Sequence, residues 1–164
     1  SLVEKDFINV AKDIQLEAKN KNCKIVLPED VICSKNLKNS NIINQCSIYD
    51  IPKDNMILDV GENTTKLICK YINKSQSVMW NGPLGAFETK PFDKGSLVIA
   101  NHIKQVYNKT GLDSSAGGGD TLSVINLANA RDGFTYLSNA GGAFLEWLEG
   151  NKSPGFIALE NNRL

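Results

Sequence analysis

The chain has 164 residues, 41% of them hydrophobic, and its 18 Lys+Arg balance 18 Asp+Glu to a formal net charge of zero. That length suits a single domain with a core of its own. The balanced charge, with no long run of either sign, excludes an electrostatic footprint for nucleic acid or an acidic membrane, so an anionic ligand would have to be held by local groups.

Ser1-Leu2-Val3-Glu4 has the form of a capping box, and Val3, Phe7, Val10, Ala11, Ile14 and Ala18 follow at helical spacing. An amphipathic helix ending near Asn20 is expected. Lys24-Ile25-Val26-Leu27 reads as a short buried strand stopped by Pro28, and Val31-Ile32-Cys33 resumes extended structure before a polar surface excursion from Ser34 to Asn44. Ile48 to Ile51 and Met56 to Val60 read as further strands, the second running into Gly61, and Thr64 to Ile72 as a helix.

Ser77-Val78-Met79-Trp80 is a short apolar run broken by Asn81-Gly82-Pro83-Leu84-Gly85, a strand followed by a tight loop. Asp93 can cap a helix that places Ile99, Ala100, Ile103, Val106 and Tyr107 on one face and ends at Gly111. Asp113 to Ala116 leads to Gly117-Gly118-Gly119-Asp120-Thr121 and the apolar positions of another helix. Thr135 to Ser138 precedes Ala140-Gly141-Gly142 and a last helix with Ala143, Leu145, Trp147 and Leu148. Alternating strand and helix signals predict an α/β domain, Rossmann-like, with a mainly parallel sheet and helices on both faces. Ligands of such sheets bind beyond the carboxyl ends of the strands.

The four cysteines form no CxxC pair and the lone His102 has no histidine partner, which argues against zinc and for reduced thiols in a cytoplasmic protein. No apolar stretch is long enough to span a bilayer, and the start lacks the pattern of a signal peptide. His102 reads as surface or structural, and Trp80 and Trp147 as core residues rather than stacking platforms.

The strongest local signal is Gly117-Gly118-Gly119-Asp120-Thr121 between a strand and a helix. Glycines let the backbone approach a ligand closely, and the free N–H groups at a helix start favour an anion such as phosphate. Asp120 among those groups is suited to Mg²⁺ bridging phosphate oxygens, or alternatively to capping its own helix. Ala140-Gly141-Gly142 offers a similar junction. In the segment Asn81 to Glu88, Asn81 can donate to phosphate and Glu88 can accept from ribose hydroxyls.

Taken in order, these segments resemble the phosphoglycerate kinase family: Val78 to Glu88, Gly117 to Thr121, Ser138 to Gly150 with Pro154-Gly155, and Leu58-Asp59-Val60-Gly61 upstream. The resemblance spans the chain and implies the nucleotide-binding, C-terminal domain of a two-domain kinase over residues 1–164, without its first part and without the N-terminal substrate domain. It implies phosphoryl transfer between ATP/ADP and 3-phosphoglycerate/1,3-bisphosphoglycerate, with Mg²⁺ as cofactor, in an enzyme that is a cytoplasmic monomer. By the same resemblance Gly61, Pro83 and Glu88 border the adenosine, Asn81 touches the phosphates, and Gly117, Gly118, Gly119, Asp120 and Thr121 hold the phosphate chain with Asp120 on the metal. Gly141 and Gly142 would offer backbone donors to the group in transfer, and the tail from roughly residue 151 would pack on the N-terminal domain. The lysine-bearing Gly-Gly-Ala-Lys segment and the 3-phosphoglycerate residues of the family are not in this sequence, so this chain alone is expected to be inactive. Asn139, Glu62 and Ala140 stand where many members carry Thr, Pro and Gly. The alternatives are a free-standing nucleotide-binding or interaction module, and a dehydrogenase domain, which is disfavoured because no G-x-G-x-x-G opens a helix.

Overall fold

The computed structural model describes residues 3–38, 42–151 and 154–162. A single 3-10 turn, Lys5–Phe7, leads into α1, Ile8–Asn20. The helix ends where the periodicity places it, whereas the Ser1 capping box lies outside the described residues. None of the residues of α1 is buried. Phe7, Ile14 and Leu16 leave more than half of their surface open.

Three strands follow, β1 (Asp30–Ser34), β2 (Asn44–Ser47) and β3 (Met56–Val60), in the order β2-β1-β3 with both pairings antiparallel. Here two expectations fail. Lys24–Leu27 is not a strand and leaves Leu27 55% exposed. A strand needs a neighbour for its backbone groups, and none is paired with this stretch among the described residues. Ile48 to Ile51 is a turn and irregular chain, with the strand displaced to Asn44–Ser47, where pairing with β1 outweighs the weaker β preference of Asn and Gln.

From α2 (Glu62–Ile72) onward the alternation predicted from sequence holds: β4 (Ser77–Asn81), α3 (Lys94–Thr110), β5 (Asp113–Gly117), α4 (Gly119–Leu127), β6 (Tyr136–Ser138), α5 (Gly141–Leu148) and α6 (Pro154–Asn161). Strands β4, β5 and β6 form a parallel sheet in that order. The fold is therefore α/β with a parallel sheet, as expected, and carries an antiparallel three-stranded sheet in addition. Gly111 closes α3 in the left-handed region, φ 68°, with its N–H on the Tyr107 carbonyl.

The core lies around the parallel sheet. Trp80 from β4, Ala116 from β5, Ile99, Ile103 and Val106 from α3, and Val124 and Ile125 from α4 are all buried together. Trp80 stacks on Phe134 with centroids 6.4 Å apart, which makes it the core residue it was read to be. The Trp147 side chain lies outside the described residues. His102 is hydrogen-bonded to Asn73, at 2.9 Å, in agreement with a surface or structural role. All four cysteines are free, and among the described residues no helix is long and apolar enough to cross a membrane.

Candidate functional site

The three parallel strands end side by side. Register pairs Asn81 with Gly117 and Gly117 with Ser138, so the loops that follow β4, β5 and β6 leave from one edge of the sheet. That is the carboxyl edge, and each loop there is one of the small-residue turns picked out in the sequence.

The turns touch. The Gly118 N–H donates to the Ser138 carbonyl at 3.0 Å, and the Gly82 N–H donates to the Thr121 hydroxyl at 2.8 Å. A Cβ on Gly141 would stand 2.9 Å from the Gly118 Cα and 3.0 Å from the Asn81 Oδ1, so both turns must be bare for this approach. Gly118 has φ 95° and ψ 139°, a conformation that side chains exclude. Glycine at these two positions is a geometric requirement of the convergence.

The start of α4 at this edge is left open, whereas the Ala140 N–H, just before α5, donates to the Ser138 hydroxyl at 3.1 Å. Asp120 lies in the first turn of α4, but Gly118 occupies the capping position and, among the described residues, no side chain caps the helix. Its carboxylate is exposed and makes no hydrogen bond or ion pair among the described residues, so Asp120 is not a cap. A Cβ on Gly119 or Gly142 would meet nothing within 4 Å. These backbones face free space. Thr121, by contrast, is 1% exposed, and its hydroxyl ties the first turn to the second.

The loop from Gly82 to Glu88 is held at several points. The Trp80 indole N–H donates to the Gly82 carbonyl at 2.7 Å, Ser96 Oγ bonds both the N–H and the carbonyl of Leu84 at 2.7 Å, and the Ala86 N–H donates to the Leu58 carbonyl at 2.7 Å. Leu84 and Phe87 pack against the core, while Asn81 and Glu88 remain exposed and Pro83 is half-buried.

Asp59, quoted in the sequence motif but given no role there, proves to be the anchor of this loop. It is 3% exposed and lies against Gly85, where a Cβ would come within 2.6 Å of its carboxylate. Its Oδ2 accepts the Gly95 N–H at 2.8 Å, capping α3 in place of Asp93, whose side chain makes no cap bond. Burial, only partly offset by bonds from Gly95 and Val60, raises the Asp59 carboxyl to about 6. A buried acid within an apolar strand was the available signal, and its partner, 36 residues away, was not.

Gly61 lies elsewhere. It lines a cavity of about 800 Å³ walled by Ile32, Val60, Thr65, Cys69 and Val98, to which Asn81, Pro83, Glu88 and the two glycine turns do not contribute. A Cβ there would meet the Asp30 carboxylate, which caps α2 by accepting the N–H groups of Asn63 and Thr64 at 3.0 and 2.8 Å. Gly61 thus has a structural reason to be glycine.

The family model for phosphoglycerate kinase matches residues 1–151. The phosphoglycerate kinase of Mesorhizobium japonicum is 46% identical over 160 residues, covering 98% of this chain and 40% of that protein. The enzyme of Agrobacterium fabrum is 43% identical, over 97% of this chain and 40% of its own length. Among solved structures, the phosphoglycerate kinase of Coxiella burnetii superposes with a TM-score of 0.84 at 35% identity, over 92% of this chain and 38% of that one. The chain thus spans about 40% of the length of these curated relatives. With the motifs in family order and the fold shared, the chain belongs to the phosphoglycerate kinase family.

Proposed function

We propose that this chain supplies the magnesium-nucleotide side of a phosphoryl transfer between ATP/ADP and 3-phosphoglycerate/1,3-bisphosphoglycerate, the reaction of glycolysis and gluconeogenesis. The observation that carries the reading is the convergence of Gly117–Gly119 and Gly141–Gly142 at the carboxyl edge of the parallel strands, with the start of α4 uncapped. Such an edge attracts phosphate through backbone N–H groups and the helix dipoles.

In this reading Asn81 donates to the phosphates from the end of β4, and Pro83 and Glu88 border the nucleoside, with Glu88 accepting from the ribose. Gly61, which follows β3, would border the nucleoside from the separate cavity that it lines. Thr121 holds the turns in register. The Gly141 and Gly142 backbones, beside Gly118, aim donors at the group in transfer, where fixed dipoles stabilise developing charge without reorganising.

Asp120 fits Mg²⁺. It is an exposed, unpartnered carboxylate beside the phosphate turn, and magnesium characteristically takes one or two carboxylates plus phosphate oxygens and waters. Among the described residues no cluster of three or more His, Cys, Asp or Glu would hold a metal alone, so the ion would come with the nucleotide. Bound there, it neutralises phosphate charge. The 3-phosphoglycerate would be held by a separate N-terminal domain, on which the tail from about residue 151, including α6, would pack. The complete enzyme is read as a cytoplasmic monomer.

Asp120→Asn tests this in a chain of the full length of its relatives. Turnover with ATP and 3-phosphoglycerate should fall roughly a hundredfold or more while the melting temperature holds, because no cap bond is lost. Turnover within a few-fold of the parent would remove Asp120 from the metal site.

A further inference from the structure

Two cysteines outside the proposed site lie side by side. Cys33 is on β1 and wholly buried, and Cys46 is on β2 and partly exposed. Register pairs Val31 with Cys46 and Cys33 with Asn44, so the two cysteines are diagonal neighbours on one face of the antiparallel pair. Their sulfurs are 2.7 Å apart, close to the bonded distance of about 2.05 Å. Nothing in the sequence spacing of these residues suggested a pair.

We infer that Cys33 and Cys46 form a peroxide-responsive thiol pair that closes to a disulfide and clamps β1 to β2. Cys46, the more exposed, reacts first: its sulfur attacks one peroxide oxygen, the O–O bond breaks, and the thiol proton leaves in a molecule of water, giving a sulfenic acid. The Cys33 sulfur then attacks the Cys46 sulfur, the S–O bond breaks as the S–S bond forms, and the hydroxyl departs with the Cys33 proton as a second water. The thiols lose two electrons and the peroxide gains them.

The hydrogen bond with Cys33, followed by burial, pushes the Cys46 thiol up to about 11. Thiolate is therefore scarce, and closure is a slow response to sustained peroxide rather than to a trace. The clamp would stiffen more than the hairpin. Gln45, between the paired positions, donates to the Asp30 Oδ2 at 2.7 Å, so fixing β2 also fixes a partner of the carboxylate that caps α2.

The test is hydrogen peroxide on the full chain, followed by alkylation of the remaining thiols and peptide mass mapping. A Cys33–Cys46 linked peptide, two hydrogens lighter, should form while Cys69 stays alkylatable, and reduction with dithiothreitol should reverse it. Cys46→Ser, at a partly exposed position, should abolish the link and leave Cys33 as a thiol. The linked chain should melt several degrees higher than the reduced one. The proposal is overturned if the link is absent when exposed Cys23 is already oxidised, if Cys46 is recovered only as sulfinic acid, or if a linked chain melts no higher.

Discussion

The two sheets of this molecule meet the same physical demand in opposite ways. Every helix start presents N–H groups without partners, and at two of them carboxylates of the antiparallel strands accept such groups: Asp30 of β1 those of Asn63 and Thr64 in α2, and Asp59 of β3 that of Gly95 in α3. At the parallel sheet α4 begins on bare glycine with no side-chain cap. The comparison teaches where a ligand can enter. Helix ends that are already neutralised by protein carboxylates repel an anion, whereas uncapped ones leave their donors to be satisfied from solution.

The largest effect expected from this contrast is the loss of turnover in Asp120→Asn set out above, which should leave stability alone. Asp30→Ala should do the reverse. It removes the acceptor of the N–H groups of Asn63 and buried Thr64 and of the Gln45 amide, all within 3.0 Å of the carboxylate, while the Thr64 hydroxyl keeps the Asp30 backbone carbonyl. A destabilisation of about 3 kcal/mol is expected from urea unfolding, with no defect in nucleotide affinity once the fold is restored by cooling. A stability change under about 1 kcal/mol would mean that the cap contributes little and the contrast between the halves is not energetic.

The glycines sharpen the same contrast within the parallel edge. Gly141→Ala forces its Cβ onto the Gly118 backbone, so it should open the junction of the turns and cost about 1–3 kcal/mol. Gly142→Ala meets free space and should stay within about 0.5 kcal/mol of the parent. Thermal melts of the pair decide it, and equal losses would show that the open face at Gly142 is in fact packed.

The two strand carboxylates also differ in a pair of opposed pH dependences. The Asp59 carboxyl is raised by burial to about 6, so the native state holds its proton more tightly than the unfolded chain. Stability from this group is complete below about pH 4 and is lost as the pH rises through about 6, by roughly 2–3 kcal/mol. For Asp30, burial works to raise the carboxyl but is outweighed by the bonds from Thr64, Asn63 and Gln45, which leave it lowered. Its contribution is present above the ordinary carboxylate range and is lost as the pH falls through its lowered value. Asp59→Asn should therefore flatten the decline in stability between about pH 4 and 6, and Asp30→Asn should flatten the loss in acid. Unfolding titrations at several pH values would read both, and an unchanged slope in Asp59→Asn would place its proton elsewhere.

Much of this was legible in the sequence, and the division follows the range of the interactions. The helix ends at Asn20 and Gly111, the two strands read to Trp80 and Ala116 that run one residue further, and the three glycine turns are written in contiguous residues, because helical periodicity and the freedom of glycine at positive φ act over a few positions. The order of those turns was enough to place the chain in its family. Only the tertiary structure decided that the turns touch one another, that Gly61 faces Asp30 and a separate cavity, that Asp59 rather than Asp93 caps α3, and that Cys33 lies against Cys46. These contacts join residues far apart in the chain, 36 positions for Asp59 and Gly95 and 39 for Gly82 and Thr121, and depend on which strands become neighbours and in which direction. Lys24–Leu27 shows the limit from the other side: its residues favour a strand, but a strand is made by its neighbour, and local preference cannot supply one.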